Sequence, residues 1–191
     1  MRIIHAITIG LALGLASCAT KISEDTCLAG AWADYGYKDG IKGRSSERIA
    51  KYAENCAKYG ITPDRNAYFA AYDQGVVKYC TYERGYSRGE NGSSYNQVCS
   101  GSLAADFAPG YDAGRAFYKI KKEHQSLYDT YCDVDEALFE VRRRLDEDEM
   151  EDGERRRLVK KARRLENRLV DIRIEARAME RQYDLYPHDF S

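Results

Sequence analysis

The stretch LVKKARRLENRLVDIRIEARAMERQY, from Leu158 to Tyr183, carries the plainest structural signal in this 191-residue chain. Leu158, Ala162, Leu165, Leu169, Ile172, Ala176, Met179 and Tyr183 are spaced alternately by four and three residues. That alternation puts every apolar side chain on one narrow stripe of an α-helix, the seam of a coiled coil. A row of such side chains is unfavourable in water and needs a partner. The partner lies just upstream, where Leu127, Tyr131, Val134, Leu138, Val141 and Leu145 repeat the same alternation. Between the stripes runs Asp146-Glu147-Asp148-Glu149-Met150-Glu151-Asp152-Gly153, short and acidic. A short polar link between two long helices makes an antiparallel hairpin. Arms of about 27 residues would each extend about 40 Å. Leu138 and Leu165 stand at similar distances from the link and are expected to meet or to lie one layer apart. The first arm can begin as early as Leu103, because Pro109 is tolerated in the first turns of a helix.

Basic runs at Arg142-Arg143-Arg144, Arg155-Arg156-Arg157 and Lys160 to Arg164 flank the acidic link. Arginines one turn from glutamates form ordinary surface pairs, so these runs read as intramolecular. The formal net charge is only -1, which gives no general attraction to nucleic acid, and none is expected as a partner.

Before about Lys119 the composition changes. Residues 27–118 are rich in Gly, Tyr and Cys, whereas glycine nearly vanishes afterwards. The change separates a Gly/Tyr/Cys-rich helical domain (27–118) from a helical hairpin with a short tail (119–191). The first part carries a faint repeat: Gly36-Tyr37-Lys38-Asp39-Gly40, Ala71-Tyr72-Asp73-Gln74-Gly75 and Gly110-Tyr111-Asp112-Ala113-Gly114, with a fourth copy lacking the acid at Gly85-Tyr86-Ser87-Arg88-Gly89. The spacing is too uneven for a solenoid and indicates similar short helices. Trp32, Gly36, Gly40 and Gly43 fall on one helical face, as do Tyr68, Tyr72, Gly75 and Tyr79. Glycines on a buried stripe let another backbone approach closely. Ser46 marks one helix start and Thr62-Pro63-Asp64 another, with Thr62 as cap and Pro63 in the first position. Gly60 is a natural stop between them. Residues 82–98, with three glycines and several serines, read as a loop or a broken helix.

The N-terminus is Met1-Arg2 followed by a mostly apolar run from Ile3 to Ala16, shorter than the roughly 20 residues a membrane span needs. It reads as a signal peptide over residues 1–17. The run ends Leu15-Ala16-Ser17-Cys18, which is similar to a bacterial lipobox. On that reading Cys18 carries the acyl chains, and residues 18–26 form the lipidated N-terminus and a polar tether. Ala19 in place of an aspartate points to the periplasmic face of the outer membrane.

Cys27, Cys56, Cys80, Cys99 and Cys132 remain. In an oxidising compartment they are expected to pair. Five thiols in two bridges allow 15 arrangements. Pairing of chain neighbours favours Cys27–Cys56 and Cys80–Cys99, each worth roughly 3 kcal/mol by loop closure, and leaves Cys132 free.

Reactive chemistry has few candidates. His124 and Cys132 are eight residues apart on one helix, about 12 Å along its axis, too far for a thiol–imidazole pair. No metal-ligand spacing, nucleophile elbow or phosphate loop is present, so neither cofactor nor metal is expected. Asp39, Asp73 and Asp112, each beside Tyr37, Tyr72 or Tyr111, are the candidate glycan contacts. A tyrosine-faced site with two acids could grip or hydrolyse a sugar polymer.

The spaced elements Cys27, Trp32, Gly36-Tyr37, Asp39-Gly40, Gly43, Cys56, Pro63-Asp64, Tyr68, Gly75, Tyr79-Cys80, Gly85, Gly89, Tyr95, Val98-Cys99, Phe107, Tyr111 and Gly114 together resemble an uncharacterised proteobacterial lipoprotein family, the domain of unknown function 2799 type. The resemblance implies export, lipidation and a helical fold, and supplies no reaction. The expectation is therefore an all-α protein: a small disulfide-stapled helical domain followed by a long antiparallel coiled-coil hairpin. Its expected role is non-enzymatic, a lipid-anchored envelope module that meets an unknown envelope protein through the hairpin. Peptidoglycan or glycan binding by the Tyr-rich domain is the alternative, and an envelope hydrolase is a weaker one.

Overall fold

The computed structural model describes residues 22–147 and 149–190. Cys18 and the signal segment lie outside the described residues. Those residues form an all-helical structure of seven helices: α1 (Glu24–Ala29), α2 (Trp32–Gly40), α3 (Arg48–Ala57), α4 (Arg65–Tyr79), α5 (Tyr82–Glu90), α6 (Ser102–Leu145) and α7 (Asp152–Tyr183). The chain divides into two compact units between Gly75 and Val76, within α4. The change in composition near Tyr118 does not interrupt the backbone, because α6 runs through it.

In the N-terminal unit α1 is capped by Ser23, whose hydroxyl accepts from Thr26 N. Cys27 on α1 is bonded to Cys56 on α3, with Cα atoms 5.7 Å apart. The start of α4 differs from the sequence expectation. Asp64, not Thr62, caps it, its carboxylate accepting from Ala67 N at 2.9 Å. Asp64 is the next residue after Pro63 able to offer a side-chain oxygen to the first turn. The core is a run of rings on α2, α3 and α4: Trp32, Tyr35, Tyr52, Tyr68 and Tyr72 lie with successive centroids 5.5 to 6.1 Å apart.

In the C-terminal unit, Cys80 and Cys99 are bonded across α5. The stretch 82–98 is a helix followed by irregular chain. Residues 82–90 form α5 despite two glycines, because Thr81 caps it and both glycines face α6. Beyond α5, the hairpin of α6 and α7 buries Tyr131, Leu138, Val141, Ala162, Leu169, Ile172 and Ala176, with Leu127, Val134, Leu145, Leu158 and Leu165 packed around them. These are the two apolar stripes of the sequence as far as Ala176; Tyr183, at the end of the second stripe, is exposed. The connection is shorter than the acidic run suggests, since Asp152 and Gly153 already belong to α7. Phe190, in the tail after α7, also joins this core.

The glycine pattern marks a structural duplication. A Cβ built on Gly36 of α2 would lie 2.0 Å from the carbonyl oxygen of Tyr68 on α4. One on Gly85 of α5 would lie 2.2 Å from that of Phe107 on α6. In the reverse direction, Gly75 would meet Tyr37 O at 2.5 Å and Ile41 N at 2.8 Å, and Gly114 would meet Tyr86 O at 2.1 Å and Glu90 N at 2.7 Å. One constant offset carries Gly36, Gly40 and Gly43 to Gly85, Gly89 and Gly92; a second carries Tyr68, Tyr72 and Gly75 to Phe107, Tyr111 and Gly114. The turns after the first helices match as well. Arg44 N donates to Asp39 O at 3.0 Å, and Ser93 N to Arg88 O at 3.1 Å. Gly43 and Gly92 take the left-handed conformation there, at φ 59° and 68°. The α2–α4 and α5–α6 pairs are thus two versions of one motif, backbones touching through glycine. Each disulfide ties the segment before the first helix of its pair to the segment before the second.

Candidate functional site

Asp39 is the most enclosed acid among the described residues, 1% exposed. It sits on the face of α2 that turns toward α3 and α4. Tyr52 of α3 donates its hydroxyl to Asp39 Oδ2 at 2.7 Å, and Tyr68 of α4 donates to the same oxygen at 3.0 Å. Arg44 Nη1 donates to Oδ1 at 3.0 Å, and Arg48 Nε lies 3.4 Å from it. Both oxygens are therefore occupied, and a buried carboxylate with this many donors is satisfied. Burial, reinforced by the hydrogen bond to Asp39, raises the Tyr52 hydroxyl above the usual tyrosine range. Burial and the negative charge of Asp39 raise Tyr68 as well. Tyr72 is raised chiefly by burial and donates its hydroxyl to Arg44 O at 2.7 Å. The acid, two arginines and three tyrosines hold α2, the turn after it, α3 and α4 together.

The other residues nominated from sequence stand in different settings. Asp73 and Asp112 are exposed, while Tyr37 is half-exposed. Tyr72 is buried, stacked on Tyr68, and Tyr111 stacks on Phe107 in the same way, at 6.0 and 6.2 Å between centroids. Of the three tyrosines only Tyr37 thus presents much of its ring to solvent. The residues that complete the Asp39 cluster, Arg44, Arg48 and Tyr52, escaped the sequence reading. The i, i+4 spacing of Arg48 and Tyr52 was its one available trace.

The hairpin carries its own features. Arg142 pairs with Glu166, Arg143 with Glu140, and Arg144 with Glu154, at 2.8, 2.9 and 2.6 Å. Against this paired charge, Phe139, Val170 and Ile174 are each more than half exposed. Phe139 and Val170 directly follow the buried Leu138 and Leu169. Farther from the tip, the tail folds back onto the helices. His188 stacks on His124 and Tyr128 with centroids 4.7 and 4.5 Å apart, and the carbonyl of Phe190 accepts from Tyr131 Oη and Arg173 Nη2 at 2.7 and 2.6 Å. Glu180 is buried beneath, taking His124 Nε2 at 3.1 Å and Arg177 Nη1 at 2.8 Å. Burial pushes its carboxyl up, but these hydrogen bonds outweigh the effect and hold it below the ordinary value. His124 is thus committed to Glu180. Cys132 is an exposed free thiol in a groove that also includes Tyr128, Phe139 and Asp189. Among the described residues, no group of three or more His, Cys, Asp or Glu side chains is placed to hold a metal, and no helix is long and apolar enough to cross a membrane.

Residues 31–116 match a sequence family described as Protein of unknown function (DUF2799). The segment spans both glycine-packed helix pairs and ends inside α6. No curated protein and no solved structure matches the chain.

Proposed function

We propose that this protein is a lipid-anchored, non-enzymatic envelope module whose α6–α7 hairpin docks another protein. The observation that carries the reading is the exposure of Phe139, Val170 and Ile174 on helices whose other surface residues are largely charged. Large apolar side chains held in water on a rigid scaffold are the usual anchors of protein recognition. The groove beside Phe139 adds a second support: next to it, the hairpin already holds an aromatic segment of its own tail, with the backbone carbonyl of Phe190 clamped by Tyr131 and Arg173. An extended peptide bearing an aromatic residue is therefore a form of ligand suited to this face. Glycan binding ranks second, because Asp39 is committed to internal partners and the Tyr72 and Tyr111 rings are packed against their neighbours.

The test is in-cell photo-crosslinking. A photoreactive residue at Phe139 or Ile174 should trap one or a few discrete proteins, and one at Asp73 or Asp112 should not. The hairpin reading fails if Phe139 and Ile174 trap nothing while the Asp73 position captures cell-wall fragments. The anchor is tested separately. Cys18→Ser should abolish labelling by a clickable fatty acid, and undiminished labelling would remove the lipid from the proposal.

A further inference from the structure

A groove in the N-terminal unit carries charge that its own residues do not balance. Lys38, Lys42, Arg44 and Arg48 line it, and Asp39 is its one acid. Arg44 and Arg48 are drawn to Asp39 at the floor. Lys38 lies over the Tyr35 ring at 6.0 Å, and neither it nor Lys42 makes an ion pair among the described residues. The Arg44 side chain is 42% exposed, so its guanidinium bonds Asp39 while still reaching solvent. The groove thus holds four cations against one carboxylate, with Tyr35, Tyr52 and Ile22 as its less polar walls.

Its place in the chain suggests what balances that charge. Ile22, on the groove wall, is four residues beyond Cys18. Four residues span at most about 14 Å of extended chain. Acyl chains on Cys18 would hold that residue at the membrane surface. So short a tether lets the groove come down onto the headgroups, and the attraction needs that close approach because exposed charges more than about 8 Å apart are largely screened at physiological salt.

We propose that this groove binds the phosphate of an anionic phospholipid headgroup in the membrane that carries the anchor; the inference rests on lipidation of Cys18. Arg44 offers a planar fork of N–H donors that matches phosphate oxygens, and Lys38 and Lys42 supply compact charge at the rim. Tyr35, partly exposed beside them, faces the headgroup layer. Bound in this way, the lipid fixes the orientation of the N-terminal unit on the membrane, which a flexible tether alone leaves free.

The experiment uses the lipidated protein on vesicles of phosphatidylcholine, with or without phosphatidylglycerol. An amine-reactive reagent, read by mass spectrometry, reports the exposure of each lysine. Phosphatidylglycerol should slow labelling of Lys38 and Lys42 about fivefold each, the usual electrostatic contribution of a lysine at an anionic surface. Lys58, just after α3, does not line the groove and should be unchanged. Lys42→Gln, a surface change that leaves the fold intact, should restore labelling of Lys38 on the anionic vesicles. Equal rates on both vesicles overturn the proposal, as does equal protection of Lys58, which would mean diffuse attraction. Protection by inorganic phosphate on neutral vesicles would assign the groove to a free anion instead. Failure to float on neutral vesicles would show the anchor itself to be absent, an outcome distinct from floating without protection.

Discussion

Alanine at Gly85 sets two effects of opposite sign against each other. In a helix interior, Gly to Ala is favourable by about 1 kcal/mol, because alanine loses less backbone entropy. At Gly85 the added Cβ would lie 2.2 Å from Phe107 O and 2.8 Å from Tyr111 N, both backbone atoms of α6. Neither can swing aside as a flexible side chain does, so α5 and α6 must separate by about 1 Å. Separation loosens the stack in which Tyr79, Tyr95 and Tyr111 surround the buried Phe107. Losing that packing is comparable to truncating a core aromatic, about 3–5 kcal/mol. The net destabilisation is about 3 kcal/mol, which in a chain of this size lowers Tm by about 6–12 °C. Gly153 of α7 is the control. A Cβ there meets only the flexible Glu151 carboxylate, at 3.6 Å, so Gly153→Ala should raise Tm by up to about 3 °C. Circular-dichroism melting measures both changes, and hydrogen exchange locates the loss in α5 and the N-terminal half of α6. A Gly85→Ala protein as stable as the parent would refute the close backbone contact and, with it, the duplicated motif.

Three further outcomes follow from the packing. The double change Leu138→Asp with Leu165→Asp puts charge into the hairpin core and should strip exchange protection from 127–145 and 158–179 while α2 and α4 stay protected; unfolding of the whole chain as one unit would contradict a separable hairpin. Alkylation of unreduced native protein should mark Cys132 alone, and a mark on Cys27, Cys56, Cys80 or Cys99 would contradict the two bridges. Tyr52, Tyr68, Tyr72 and Tyr79 all titrate above the ordinary tyrosine value of 10.0, chiefly through burial, so their stabilising contribution is fully present below pH 10 and is lost above it as the unfolded chain releases its protons first. The urea midpoint should therefore fall steadily from pH 10 to 11.5, and a flat midpoint would mean those hydroxyls are accessible.

Legibility in the sequence follows the range of the interaction. The hairpin stripes are readable because an alternation of four and three is a local rule, and all their residues but Tyr183 are buried or partly buried. The bridges are readable because both join neighbours in the chain. The Tyr-Asp-Gly repeat is visible too, but not the different fates of its aspartates. Asp39 stands two places after its tyrosine, whereas Asp73 and Asp112 follow theirs directly. One residue is a turn of about 100° on a helix, enough to bury the first acid and expose the other two. The tail was opaque for another reason. Nothing periodic announces Phe190, whose burial depends on Tyr131 and Arg173 from two distant helices.

The duplication gives the two helix pairs the same backbone motif but opposite charge at one corresponding position. Asp39 in the first corresponds to Arg88 in the second, and Tyr68 to Phe107. The two exchanges are coupled chemically. Tyr68 is fully buried and donates to the Asp39 carboxylate; Phe107 is equally buried, but its pair contains no carboxylate at that position, so a hydroxyl there would have no such acceptor. An enclosed acid also attracts cations. Asp39 holds Arg44 and Arg48, and these, with Lys38 and Lys42, make the basic groove. At the equivalent place in the second pair, Arg88 turns its guanidinium to the carbonyl of Ser94 instead. A single acid on a shared scaffold thus separates the pair nearer in sequence to the proposed anchor, where a cationic rim would meet the proposed membrane surface, from the pair that continues into the hairpin, where glycine packing serves to hold α5 against the long helix.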